Sequence, residues 1–379
     1  MGTSTINFNP RNRKLEIGAL FVTFLFCFLS WSSLPYYYRD RSESSQDTSN
    51  SPAPASPPPE RPSSLDFLPL EDAKKFCKNR RWEIWEERQK PRKIYDLILV
   101  NTELDWLEIR LGQMHEHVDY FVILEANLTF QDTPKPLFVE ENWDRFEKYH
   151  SKMIRHTLSI EGAKFEKTWD REKFSRNAIY DQVVPFLEGP HAPEKGDVLL
   201  VSDVDEMPRP STLIALRNCK FPKKLALHSD MYYYSFQWRN RADWGFPHAT
   251  FYDGNDTVLP DDLRHTADAH LYRAAWHCSY CFSTIGEFVK KINSFSHTEY
   301  NLAKFKDPKQ ILEHVRFGID FFDRDGEKWD RVEDNADVPG FLKENEAEYL
   351  FMLDRDPEHA NLVDYQEFNN STESAETPP

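Results

Sequence analysis

The chain has 379 residues, 40% of them hydrophobic, and its 28 Phe, 16 Tyr and 10 Trp supply ample mass for a large core. Its 63 Asp and Glu against 47 Lys and Arg leave a formal charge of −16, which argues against a nucleic-acid partner held on a basic face. Of five cysteines, Cys27 lies in an apolar segment; Cys77, Cys219, Cys278 and Cys281 can pair in an oxidising compartment with three possible connectivities.

At the N-terminus Arg11, Arg13 and Lys14 precede IGALFVTFLFCFLSWSSLP, and no charged residue occurs from Ile17 to Tyr38. Such a run just suffices to cross a hydrocarbon core of roughly 30 Å. The basic cluster before it keeps the first residues cytosolic. The pattern predicts a cytosolic tail over 1–14, a transmembrane signal anchor over 15–35, and a lumenal remainder. The rival is a cleaved signal peptide with Ile17–Leu29 as its apolar region, although Ser30-Trp31-Ser32 makes a poor cleavage site. Residues 42–64, SESSQDTSNSPAPASPPPERPSS, hold no aromatic and no aliphatic larger than Ala, so they read as an extended stalk. Lys78–Lys93, with Trp82 and Trp85, reads as a connector packed on the domain edge. Stem and connector together fill 36–92, and a short disordered tail is expected over 366–379. Sequons at Asn127, Asn255, Asn369 and Asn370 suit a lumenal chain.

Ile94–Val100 (IYDLILV) is a continuous apolar run of strand length. Leu104, Leu107, Leu111, Met114 and Val118 follow at helical spacing, and Tyr120–Leu124 (YFVIL) is the next strand. Strand, helix and strand in this order predict a βαβ unit with parallel pairing. Further on, a helix is expected across Arg171–Leu187, a strand over Asp197–Val201, a helix over Ser211–Arg217, and one or two strands over Leu225–Trp238. The fold class is therefore α/β: a Rossmann-type sheet with helices on both faces, in a single domain over 93–365.

In open α/β sheets ligands collect beyond the carboxyl ends of the strands. Three runs end there in polar clusters: Asn101-Thr-Glu103, Glu125-Ala-Asn127 and Ser202-Asp-Val-Asp-Glu206. The last, VLLVSDVDEMP, places three carboxylates within four positions, where like charges raise one another's pKa. In extended backbone Asp203 and Asp205 face one side and Val204 the core. Two hard carboxylate oxygens aimed at one point suit Mn²⁺ or Mg²⁺ with positions left open for phosphates. The rival is a solvated acidic loop.

Four blocks, NTELDWLEIRL (Asn101–Leu111), FVILEANLTF (Phe121–Phe130), DVLLVSDVDEMP (Asp197–Pro208) and AAWHCSYCF (Ala274–Phe282), resemble glycosyltransferase family 17. The resemblance implies a GT-A-like mixed sheet and a type II membrane protein of the Golgi. It also implies inverting transfer of GlcNAc from UDP-GlcNAc to a mannose hydroxyl of a glycoprotein N-glycan. On that basis Asp203 and Asp205 hold the divalent ion, with His297 favoured over His277 as a late third ligand. Arg176 assists the departing diphosphate, while Asn101, Glu103 and Glu125 stand at strand tips to meet the nucleotide. Asn101 also reads as a helix cap. Inversion requires a base for the acceptor hydroxyl's proton, and Glu287 and Asp268, flanking the Trp-His-Cys block, are the candidates. Cys278-x-x-Cys281 admits zinc, redox and structural disulfide readings, the last being the simplest in a lumenal domain. Two rival functions remain: a catalytically silent glycan-binding protein of the same fold, and a metal-dependent hydrolase.

Overall fold

Apolar runs order the sheet, and the helices follow from what those runs leave uncovered. A computed structural model describes residues 66–86 and 90–366, all within one compact unit. In chain order its main elements begin with α1 (Leu70–Lys78), β1 (Ile94–Val100), α2 (Leu104–Met114), β2 (Tyr120–Glu125), β3 (Met153–Thr157) and α3 (Thr168–Asp181). They continue with β4 (Val198–Asp203), β5 (Glu206–Pro208), α4 (Pro210–Asn218), β6 (Leu225–Tyr233), β7 (Ser235–Asn240) and β8 (His248–Phe251). The last are α5 (Pro260–His265), β9 (Ala269–Ser279), α6 (Ile285–Ser294) and β10 (Trp329–Arg331).

The fold is mixed α/β around a central mixed sheet of ten strands, ordered β10-β7-β6-β8-β4-β1-β2-β3, with β9 pairing both β5 and β6. The expected βαβ unit is present: β1 and β2 pair in parallel from Tyr95↔Tyr120 to Val100↔Glu125, with α2 between them. β4 joins β1 in parallel on its other side, and β3 joins β2. Beyond β4 the pairing turns antiparallel through β8 to β6, β7 and β10.

Alternation along β1 explains the two layers of helix. Ile94, Ile98 and Val100 pack with Trp106, Leu107 and Leu111 of α2, whereas Tyr95 and Leu97 pack with Ala178 and Ile179 of α3. Each fully buried side chain of this size contributes about 1.5–3 kcal/mol. A third, largely aromatic cluster gathers Tyr233, Tyr234, Tyr280, Phe288, Phe321 and Phe322 around the C-terminal half.

Several boundaries shift for local reasons. The helix expected to reach Leu187 stops at Asp181, and a 3₁₀ turn, Val184–Phe186, follows around Pro185. The apolar run Leu225–Trp238 breaks at Tyr234, whose φ of 64° turns the chain into the antiparallel β7. Strands β3, β8 and β9 had no clear sequence signal.

The disulfide Cys77–Cys219 ties α1 to the end of α4, and the Asn218 side chain bonds Leu68 and Asp66. The connector is thus part of the folded unit, and the expected boundary at residue 93 falls inside it. Cys278 and Cys281 form a second disulfide, the simplest of the three readings of that pair. Among the described residues no helix is long and apolar enough to cross a membrane. The expected anchor over 15–35, the stalk over 42–64, the sequons at Asn369 and Asn370, and nearly all of the tail over 366–379 lie outside the described residues.

Candidate active site

At the carboxyl ends of β1, β2 and β4 the sheet opens into a cleft of about 1000 Å³, counted out to solvent. Asn101, Glu103, Glu125, Arg176, Asp203, Asp205 and His297 all line it. So do Lys135, Trp169, Glu172 and Lys291, which sequence reasoning did not single out.

The acidic turn is held from behind. β4 ends at Asp203, Val204 and Asp205 form a turn, and β5 begins at Glu206, so the two aspartates are not on one extended strand. Both reach the cleft nonetheless. Fully buried Arg110 donates through Nη1 to the backbone carbonyls of Asp203 (3.1 Å), Val204 (3.2 Å) and Glu206 (2.7 Å). Its charge is balanced by the equally buried Asp96, bidentate at 2.6 Å to Nε and Nη2. Glu206 braces the turn as well. Its buried carboxylate accepts the Asp203 amide (2.8 Å), the Trp244 indole (2.5 Å) and the Arg264 guanidinium (3.0 Å). Three polar clamps therefore set where Asp203 and Asp205 sit.

The charges in front of the turn differ from the sequence expectation. Burial raises the Asp203 carboxyl, but Arg176 (Nη1–Oδ1 2.7 Å) and Arg264 (Nη2–Oδ2 3.2 Å) outweigh it and hold it far below the usual range. Asp205 is likewise held low against burial, chiefly by His277, whose Nε2 lies 3.7 Å from its Oδ2. The like-charge repulsion expected from DVDE is overridden by cations contributed from α3, α5 and β9. His277 rises in turn: burial lowers it, and Asp205 more than offsets that. Glu103 accepts the Asn101 and Thr102 amides just before α2 and is paired with Lys291 of α6.

Counted around the cleft, Glu103, Glu125, Glu172, Asp203 and Asp205 oppose Lys135, Arg176 and Lys291. Behind this wall Asp203 also meets Arg264, Glu125 meets Arg155 and Asp205 meets His277. Hard oxygen donors suit a divalent cation that takes one or two carboxylates and fills its other positions with phosphate and water. Asp203 and Asp205 fit that role in kind. His297 lines the cleft, but its Nδ1 pairs with Glu299 at 2.7 Å, and among the described residues no group of three or more His, Cys, Asp or Glu gathers.

Two further candidates lie outside the cleft. Glu287 does not line the cleft; its carboxylate closes a capping box at the start of α6, taking the Thr284 amide (3.0 Å) and the Ser283 hydroxyl (3.0 Å). Asp268 is exposed, its amide bonded to the Lys224 carbonyl, and it too is outside the cleft. Glu125 lines the cleft, yet its oxygens serve the amides of Val139 and Glu140 and the Arg155 guanidinium, so it mainly orders the loop after β2.

A parallel half-sheet, an acidic turn at its carboxyl edge and a charged cleft beside that turn make up the site. Residues 69–356 match the model for glycosyltransferase family 17, and the chain belongs to that family. It is similar to the beta-1,4-mannosyl-glycoprotein 4-beta-N-acetylglucosaminyltransferases of Homo sapiens, Rattus norvegicus and Mus musculus, each 22% identical over 304 residues and 70% of this chain. That alignment covers 56% of the human protein and 55% of the rat and mouse proteins, so the chain spans about half the length of the curated relatives it matches. A mannosyltransferase of Pyrobaculum calidifontis, solved with GDP-Man and Mn²⁺, aligns over 82% of this chain and 83% of its own at 10% identity and a TM-score of 0.30, too slight a likeness to argue from.

Proposed function

We propose that the chain is an inverting glycosyltransferase of GT-A type that moves N-acetylglucosamine from UDP-GlcNAc to a mannose hydroxyl of a glycoprotein N-glycan. The family and the names of its relatives support the sugar and the acceptor. The observation that carries the nucleotide part is the acidic turn, which brings the Asp203 and Asp205 carboxylates to the cleft at the carboxyl edge of the sheet. A diphosphate is repelled by those two carboxylates unless a divalent cation accompanies it, and the turn offers both of them to that cation.

Asp203 and Asp205 would hold the ion, Mn²⁺ or Mg²⁺, which supplies Lewis-acid neutralisation of the leaving diphosphate. The remaining work belongs to the chain's own side chains. Arg176, anchored between Glu172 and Asp203, presents a fixed guanidinium where diphosphate oxygens gain charge. Lys291, paired with Glu103, keeps a second cation beside the same turn. Arg110 and Glu206 keep the turn from shifting when these charges are engaged.

The basic cluster before the apolar N-terminal run supports a single-pass type II protein of the Golgi membrane, and two disulfides suit an oxidising lumen. The test uses the purified full-length chain with Mn²⁺, a mannose-terminated N-glycan and a panel of UDP- and GDP-sugars. UDP release with UDP-GlcNAc, abolished by EDTA, and a β-linked product are expected. Absence of nucleotide release from every donor sinks the proposal; undiminished release in EDTA sinks its metal.

A further inference from the structure

The cleft has an aromatic mouth that this mechanism does not use. Trp169, in the first turn of α3, lines the cleft and is 47% exposed, a large apolar ring left in water at the edge of a charged site. It is nevertheless held in place. The ring stands perpendicular to His297 with centroids 4.7 Å apart, and His297 is fixed by Glu299. The preceding Thr168 hydroxyl bonds the Ser296 carbonyl at 3.0 Å, and the Ser296 hydroxyl bonds Glu172 one turn along α3. An edge-to-face pair covers little of the indole, and about half of the residue stays exposed at 47%.

Helix α3 acts as a ruler. Trp169, Glu172 and Arg176 line the cleft at i, i+3 and i+7, and seven residues of helix advance about 10 Å. Arg176 is bonded to Asp203 and marks the diphosphate end. A flat aromatic face that far along carries no charge to offer a phosphate, but suits the base beyond the ribose.

We propose that Trp169, braced by His297, is the stacking platform for the nucleobase of the donor. This deepens the function proposed above and rests on it. Base–aromatic stacking needs only a π-face, so the platform supplies affinity and positioning and leaves the choice of base to other contacts.

The test measures UDP binding to the full-length chain by calorimetry, with Trp169→Ala and Trp169→Phe beside the wild type, and then splits the kinetics. Trp169→Ala is expected to weaken UDP binding and to raise the donor KM by about tenfold. Trp169→Phe recovers most of both, and the acceptor KM and melting temperature stay put. Equal UDP affinity in wild type and Trp169→Ala, or a rise in acceptor KM alone, overturns the platform while leaving the transferase reading intact. A wild type that binds neither UDP, GDP nor ADP overturns the transferase reading and the platform with it.

Discussion

Two arginine–aspartate pairs flank the acidic turn, and they differ chiefly in exposure. Behind it, Arg110 and Asp96 are sealed at 0% side-chain exposure. In front, Arg176 meets Asp203, whose side chain keeps 37% of its surface. A sealed pair cannot exchange its partner for anything in solution, so it serves geometry. An open pair can trade its partner for a ligand. The same two residue types thus build a scaffold on one side and a replaceable contact on the other.

The sharpest way to break this comparison is Arg110→Met. It strands the Asp96 charge in the core and frees three turn carbonyls, so a loss of about 3–5 kcal/mol is expected in denaturant unfolding. A loss under about 1 kcal/mol would mean the pair is no scaffold. In front, Asp203→Asn with Asp205→Asn is expected to cost about a hundredfold or more in sugar transfer. Stability should fall less than in Arg110→Met, because Arg176 keeps Glu172 and Arg264 keeps Glu206, although buried His277 loses Asp205. A folded double variant at full speed would remove the acidic turn from the chemistry.

Acid sharpens the contrast. Burial pushes the Glu103 carboxyl up, but Lys291 and the Thr102 amide hold it below its ordinary value of 4.5. A folded pKa below the unfolded one stabilises the protein above the unfolded value, and that contribution is lost as pH falls through the folded one. The melting temperature should therefore drop below about pH 4.5, and Glu103→Gln should flatten that part of the drop. The smallest effects belong to the residues the fold removed from the site. Glu287→Ala should lose about 1 kcal/mol through its cap and little of kcat, and Asp268→Asn should change neither. A collapse of kcat in either variant would return it to the chemistry.

Much of the parallel half was legible because a strand buried on both faces and a helix with one apolar stripe each leave a periodic trace. The strand tips Asn101, Glu125 and Asp203 could be assigned to one edge from topology alone. Arg110 and Asp96 leave a fainter trace, two opposite charges each embedded in an apolar run. Glu287 misled because a capping carboxylate and a catalytic one look alike in one dimension. Only the position of α6 distinguishes them.

What the chain determined by itself was the order of strands and helices near β1, β2 and β4 and the sheet edge where carboxylates collect, since both depend on interactions over a few neighbouring residues. The electrostatic character of that edge was decided in three dimensions. Lys291 lies 188 positions from Glu103, Arg264 lies 61 from Asp203, and His277 reaches Asp205 from another strand. Coulombic terms act through space over a few ångströms, so the cations that reverse the repulsion within DVDE are chosen by packing.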